Sequence, residues 1–108
     1  MLNSDPGRPR ALVLLIGDDA AGRDLYAKLV DGDLNVVAAP SGETGYALAC
    51  SEEPDVVMID GRLPDADSMT ICKRLRANPD TASIPVIVFS QPCPVDLLLA
   101  TVHSTIGR

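Results

Sequence analysis

The chain is predicted to fold as α/β: a doubly wound parallel sheet of four strands with helices on both faces. Three observations carry that expectation. Four short, largely apolar runs recur along the 108 residues, each too short for a helix and each closed by Gly, Pro, Asp or Ser. Between them lie segments whose apolar residues repeat at helical spacing. The length suits the count as well. A strand of about 6 residues, a helix of about 11 and two loops of about 3 make roughly 23 residues per unit, so the stretch from Arg10 onward holds about four units in one domain.

The elements follow in order. Residues 1–9 carry Asn3, Ser4, Pro6, Gly7 and Pro9 and are read as a loose tail before a domain over 10–108. Ala11 to Ile16 is a strand buried on both faces and ended by Gly17. From Ala21, Leu25 with Leu29 and Tyr26 with Val30 fall at helical spacing until Asp31-Gly32-Asp33. Leu34 to Ala38 is a second strand. Pro40-Ser41-Gly42 turns the chain, with Ser41 as N-cap and Glu43 in the first turn of a helix through Cys50. Asp55 to Ile59 is a third strand ending at Asp60, and a loop from Gly61 to Asp67 leads to a helix over 68–77, closed by Asn78-Pro79-Asp80. Ile84 to Phe89 is the fourth strand, with Pro85 tolerable at its start. Val95, Leu98, Leu99, Val102 and Ile106 then form the apolar face of a last helix, placed beside the helix of Ala21 to Val30; Leu97 lies off that face.

Composition narrows the function. Hydrophobic residues at 46% and charged residues at 22% mark a globular chain. Aromatics at 3% leave little capacity for stacking on bases or sugars. A net charge of −6 repels phosphate backbones and anionic lipid, so neither nucleic acid nor a membrane is expected as partner. The basic cluster Lys73-Arg74-Arg76 reads as a solvated helix face. Cys50, Cys72 and Cys93 are far apart with only His103 as a nitrogen companion, which argues for buried reduced thiols and a cytoplasmic setting. The apolar run after Arg10 is too short for a signal peptide or a membrane span.

Chemistry concentrates at the strand ends, where ligands of parallel sheets bind. Asp18 and Asp19 follow the first strand, Asp60 the third and Ser90 the fourth, so three carboxylates and a hydroxyl converge if those strands are neighbours. Crowded carboxylates repel unless a cation neutralises them, and an all-oxygen set suits Mg²⁺. Such a cation would also ease the approach of a phosphoryl donor to a carboxylate nucleophile. Asp19 could instead cap the helix that follows, and an Asp after a strand is common loop chemistry.

Gly17-Asp18-Asp19 with Arg23, Pro54-Asp55-Val56-Val57-Met58-Ile59-Asp60-Gly61-Arg62-Leu63-Pro64, Ile84-Pro85-Val86-Ile87-Val88-Phe89-Ser90 and Pro92 before a final helix together resemble the receiver domain of bacterial two-component response regulators, a flavodoxin-like fold. The resemblance runs from about Arg10 to the end. It implies that Asp60 accepts a phosphoryl group from a histidine kinase or phosphotransfer protein. It also implies that Asp18, Asp60 and the Arg62 carbonyl hold Mg²⁺, with Asp19 as a further candidate, and that Ser90 contacts the phosphoryl oxygens.

The chain departs from the family pattern at three places. Gly17 stands where the first acidic residue of the metal pair is expected, so Mg²⁺ is expected to bind weakly and Gly17→Asp to tighten it. Ser68 replaces the usual Gly and would supply an N-cap. Gln91-Pro92-Cys93-Pro94 is similar to the Lys-Pro segment that follows a fifth strand, yet it comes directly after Ser90. A helix-strand unit of on the order of 20 residues is therefore missing, and Gln91 replaces the cationic Lys. The fourth strand becomes an edge, which predicts a homodimer through that strand and the last helix, by edge pairing or helix exchange, with a two-fold axis near Phe89. A stand-alone receiver signalling by protein contact is the first functional reading. A degenerate receiver acting as a phosphorylation-independent dimerisation module is the second. An enzyme on the same scaffold comes third, since no Gly-rich phosphate loop or nucleophile-base pair is present.

Overall fold

The computed structural model describes residues 11–17, 20–31, 34–61, 67–89 and 95–106. The predicted tail over 1–9 lies outside them. Four strands and four helices alternate: β1 (Leu12–Ile16), α1 (Ala20–Asp31), β2 (Asn35–Ala39), α2 (Gly42–Glu52), β3 (Val56–Asp60), α3 (Ser68–Ala77), β4 (Val86–Phe89) and α4 (Val95–Ile106). The strands form one parallel sheet in the order β2-β1-β3-β4. The predicted class, strand count and neighbourhood of β1, β3 and β4 all hold.

Side-chain alternation splits the core into two layers. Val13 and Leu15 of β1 and Val56 and Met58 of β3 pack with Leu29 of α1 and with Leu98 and Val102 of α4. Leu14 and Ile16, with Val57 and Ile59, face the other way onto Ala49 of α2 and Ile71, Cys72 and Leu75 of α3. The in-register pairs Val13 with Val56 and Leu14 with Val57 keep the two sets apart across the sheet. As expected, α1 and α4 lie side by side on one face. Leu98 and Val102 carry that contact as buried residues, whereas Leu99 and Ile106 are half-buried against it and Leu97 is exposed. Tyr26 and Val30 of α1 lie on the solvent side.

The same alternation explains the uneven cover of β4. Phe89 shares a face with α4 and is buried, while Val88 points to the α2–α3 side and is 43% exposed. Among the described residues β4 is an outer strand, and no described helix is long and apolar enough to cross a membrane.

Local chemistry adjusts several boundaries. Ser41 caps α2 as expected, its Oγ accepting from Thr44 N. The helix runs on to Glu52 because Glu53 adopts a left-handed conformation, φ 49°, and donates its N–H to Ala49 O. At α3 the cap is Asp67 rather than Ser68: Oδ1 of Asp67 accepts from Met69 N at 3.2 Å, and Ser68 is the first, buried, helical residue. Asp55 falls just before β3 but binds it to β1, since Leu12 N donates to its Oδ2 at 2.7 Å and Asp55 N donates to Leu12 O at 2.8 Å. Cys72 is buried, Cys50 is half-buried, and Cys93 lies outside the described residues.

Candidate functional site

Asp60 is the last residue of β3, at the carboxyl edge of the sheet, and among the described residues it is the only buried Asp or Glu, at 1% exposure. Apolar neighbours on both flanks hold its backbone. Ile59 pairs with Ile16 of β1, Asp60 pairs with Phe89 of β4, and the next N–H, that of Gly61, donates to Phe89 O at 2.8 Å. A carboxylate placed this way is kept from bulk water and fixed by two neighbouring strands, which suits a group held ready to react.

Gly17 closes β1 beside it. Its N–H donates to Ala39 O at 2.8 Å, and its φ of +152° is a conformation that residues with a side chain rarely adopt. A Cβ built there would stand 2.8 Å from Asp60 Cβ, 3.4 Å from Oδ2 and 3.6 Å from Cγ. On this backbone a side chain at 17 would therefore meet the side chain of Asp60. A glycine directly after a buried strand was the sequence signal for this close approach. It was legible only as a missing carboxylate.

Asp18, Asp19, Arg62 and Ser90 lie outside the described residues, so the structure places Asp60 alone of the expected site residues. Among the described residues no group of three His, Cys, Asp or Glu side chains gathers. The described part of the site contributes one hard carboxylate donor, the chemistry that Mg²⁺ favours. His103 is half-buried on α4. The basic cluster divides: Lys73 and Arg76 are exposed, as expected, but Arg74 pairs with Glu43 of α2 at 2.7 Å and lies 4.1 Å above the Tyr46 ring. It is part of the contact between α2 and α3 as well as a partly exposed charge.

A family model described as the response regulator receiver domain matches residues 13–103. The DNA-binding dual master transcriptional regulator RpaA of Synechocystis is 40% identical over 79 residues, covering 72% of this chain and 33% of that protein. Response regulator PleD of Caulobacter vibrioides is 35% identical over 81 residues, covering 74% of this chain and 18% of its own. The chain thus spans a third or less of the length of these relatives. Among solved structures, the chemotaxis response regulator CheY4 of Vibrio cholerae superposes with a TM-score of 0.81 at 19% identity, over 90% of this chain and 99% of that one. The receiver domain of a Pseudomonas aeruginosa sensor histidine kinase, with a magnesium ion in its active-site cleft, gives a TM-score of 0.82 at 17% identity over 93% and 100%. At these identities the two structures speak for the fold.

Proposed function

The chain belongs to the response regulator receiver domain family, and from that premise we propose that Asp60 is the phosphoacceptor of a two-component phosphorelay. The observation that carries this reading is the buried Asp60 carboxylate at the carboxyl end of β3, clamped between β1 and β4. The donor is a histidine kinase or phosphotransfer protein. An Asp60 carboxylate oxygen forms a bond to phosphorus as the phosphorus–nitrogen bond to the donor imidazole breaks. The imidazole takes the electron pair and a proton, and an acyl phosphate remains. Asp18, Asp60 and the Arg62 carbonyl, with Asp19 as a further candidate, would hold Mg²⁺. When bound, the ion would supply positive charge to offset that of the phosphoryl group. Ser90 is assigned to contact those oxygens, and the outcome is passed on by protein contact.

Incubation with a small phosphodonor and Mg²⁺, followed by intact mass measurement, tests the reading. One added phosphoryl group on the parent and none on Asp60→Asn is the expected result. An unlabelled parent, or equal labelling of both, overturns it and favours a phosphorylation-independent interaction module.

We also propose that the chain forms a homodimer through β4 and α4, with a two-fold axis near Phe89. Val88 is 43% exposed on the outer strand and Leu97 60% exposed on α4. From Leu97 to Ile106 the helix carries no Asp, Glu, Lys or Arg, in a chain of net charge −6. The Thr101 and Thr105 hydroxyls donate back to Leu97 O and Thr101 O, at 2.9 and 2.8 Å, which leaves methyl groups for a partner. Val88 and α4 lie on opposite sides of the sheet, so two copies meeting along β4 would bring both in without opposing carboxylates from residues 97–106. Light scattering over a dilution series should give a dimer that Val88→Lys dissolves. A monomer at high micromolar concentration overturns the proposal.

A further inference from the structure

On the α2–α3 side of the sheet the helices stand in a row that stops short of the outer strand. α2 packs on β1 and β2, α3 lies next to it toward β3 and β4, and among the described residues no helix stands beyond α3. The helix that follows β4 packs on the opposite face, beside α1. α3 turns Ile71, Cys72 and Leu75 inward and holds α2 through Arg74 and Asn78. At about 100° per residue, Met69 and Arg76 therefore emerge on the flank away from α2, with Lys73 between them on the outer rim. All three are exposed, Met69 by 54%. Strand alternation puts Val88 below this flank: Val86 packs against the layer of α3, and Val88, two residues on, points to the same side. Met69 lies at the start of α3 and Val88 near the end of β4, so this apolar pair marks the carboxyl edge of the sheet. Arg76 stands about 10 Å further along the helix.

The flank is as distinct in charge as in position. From Ser68 to Pro79 the chain has no Asp or Glu, and from Thr81 to Val95 it has no charged residue at all. Glu43 takes up Arg74, but among the described residues Lys73 and Arg76 form no ion pair. Two cations thus rim an apolar floor on a chain of net charge −6. We propose that this flank docks an acidic amphipathic helix of a separate partner protein, laid beside α3 and over β4 as the next member of the row. A helix suits the place because parallel sheets bury their faces under helices packed about 8–10 Å apart. Its apolar side chains sit on Met69 and Val88, and carboxylates one and two turns along it reach Lys73 and Arg76. An anionic membrane fits less well: a plane wide enough to touch the stripe also meets the chain's surplus of carboxylates, whereas a single helix meets the stripe alone. Edge pairing of two copies along β4 lies in the plane of the sheet, and it would join two such floors without covering them. Neither the acceptor role of Asp60 nor the homodimer is needed for this docking.

The probe is a lactam-stapled helical peptide of about 14 residues, with a leucine stripe and glutamates one and two turns from its first leucine. A counterpart carries lysine for each glutamate. Titrated into the full ¹⁵N-labelled chain, the glutamate peptide should shift the amides of Met69, Lys73, Arg76 and Val88 and leave those of Lys28 and Leu97 in place. Its affinity should fall several-fold as salt rises from low to physiological concentration. Lys73→Glu/Arg76→Glu should weaken it roughly ten-fold or more and take up the lysine peptide instead. Should that variant fail to fold, Lys73→Gln/Arg76→Gln serves, with the same loss of the glutamate peptide. Met69→Ser should weaken the peptide and leave its salt dependence unchanged, since that anchor carries no charge. No binding at about 1 mM peptide, shifts centred elsewhere, or a charge variant that binds both peptides as the parent does overturns the proposal. Concentration-dependent shifts at Lys73 and Arg76 in the chain alone would give the flank to a second copy. Capture of the chain by phosphatidylglycerol vesicles, lost in the double variant, would give it to a lipid surface. Either result overturns the proposal. None of these readouts needs a phosphodonor, so they stand whichever way the labelling of Asp60 falls.

Discussion

Arg74 of α3 and Glu43 of α2 form a two-point ion pair, Nη1 to Oε2 at 2.7 Å and Nη2 to Oε1 at 3.4 Å, with the guanidinium 4.1 Å above the Tyr46 ring. Asn78 extends the seam by donating from Nδ2 to Tyr46 Oη at 3.1 Å and to Cys50 Sγ at 3.4 Å. The hydrogen bond to Glu43, and then the Glu43 charge, hold the guanidinium above its ordinary pKa. Arg74→Ala is expected to lower Tm modestly. Part of the loss should disappear at high salt, where the exposed ion pair is screened, and part should persist, because ring stacking and packing are not. Arg74→Lys should fall between the two, since an ammonium cannot make the planar two-point contact. Thermal melts at low and high sodium chloride measure each case.

Three consecutive leucines of α4 should differ sharply. Leu98 is buried in the layer with Leu29 and Val102, so Leu98→Ala should cost about 2–5 kcal/mol. Leu99 is half-buried against the same layer, and its truncation should cost roughly 1–2 kcal/mol. Leu97 is 60% exposed, and Leu97→Ala should stay within about 0.5 kcal/mol. Denaturant midpoints at concentrations low enough for a single oligomeric state would rank the three. Equal costs at 97 and 98 would contradict the helix orientation.

Glu53 closes α2 at φ 49° and ψ 60°, where a Cβ is unfavourable. Glycine occupies such a position without that penalty. Glu53→Gly is therefore expected to stabilise the fold by roughly 0.5–1 kcal/mol even though it removes a side chain. Urea unfolding compares it with Ala47→Gly, which lies exposed inside the helix and should destabilise by about 1 kcal/mol.

Burial raises the Cys72 thiol above its ordinary value of 9.0, with Arg76 lowering it and Asp67 raising it by smaller amounts. A raised folded-state pKa favours folding most while the thiol keeps its proton. Its contribution is complete below 9.0 and is lost as pH climbs through that value toward the folded-state one. Cys72→Val should flatten the alkaline fall in stability, measured by urea midpoints from neutral to alkaline pH. In a Cys93→Ser background, Cys50 should react with a thiol reagent before Cys72, whose modification should follow opening of the fold.

The alternation of four strands and four helices, the parallel sheet and Asp60 at the end of β3 were legible in the chain itself. Apolar run length and helical period are local properties, and a carboxylate directly after a buried strand is visible without knowing what surrounds it. What the tertiary structure alone decided depends on atoms brought together from distant segments. Which parity of β4 meets α4 buries Phe89 and exposes Val88. Asp67 rather than Ser68 caps α3, because Ser68 is itself the first helical residue and is buried. Arg74 becomes part of a seam only once α2 lies beside α3. Gly17 reads in one dimension as a lost ligand and in three as the point where β1 comes close to Asp60. In each case spacing along the chain specifies the residue, but its role follows from contacts across the fold that register and helix packing set.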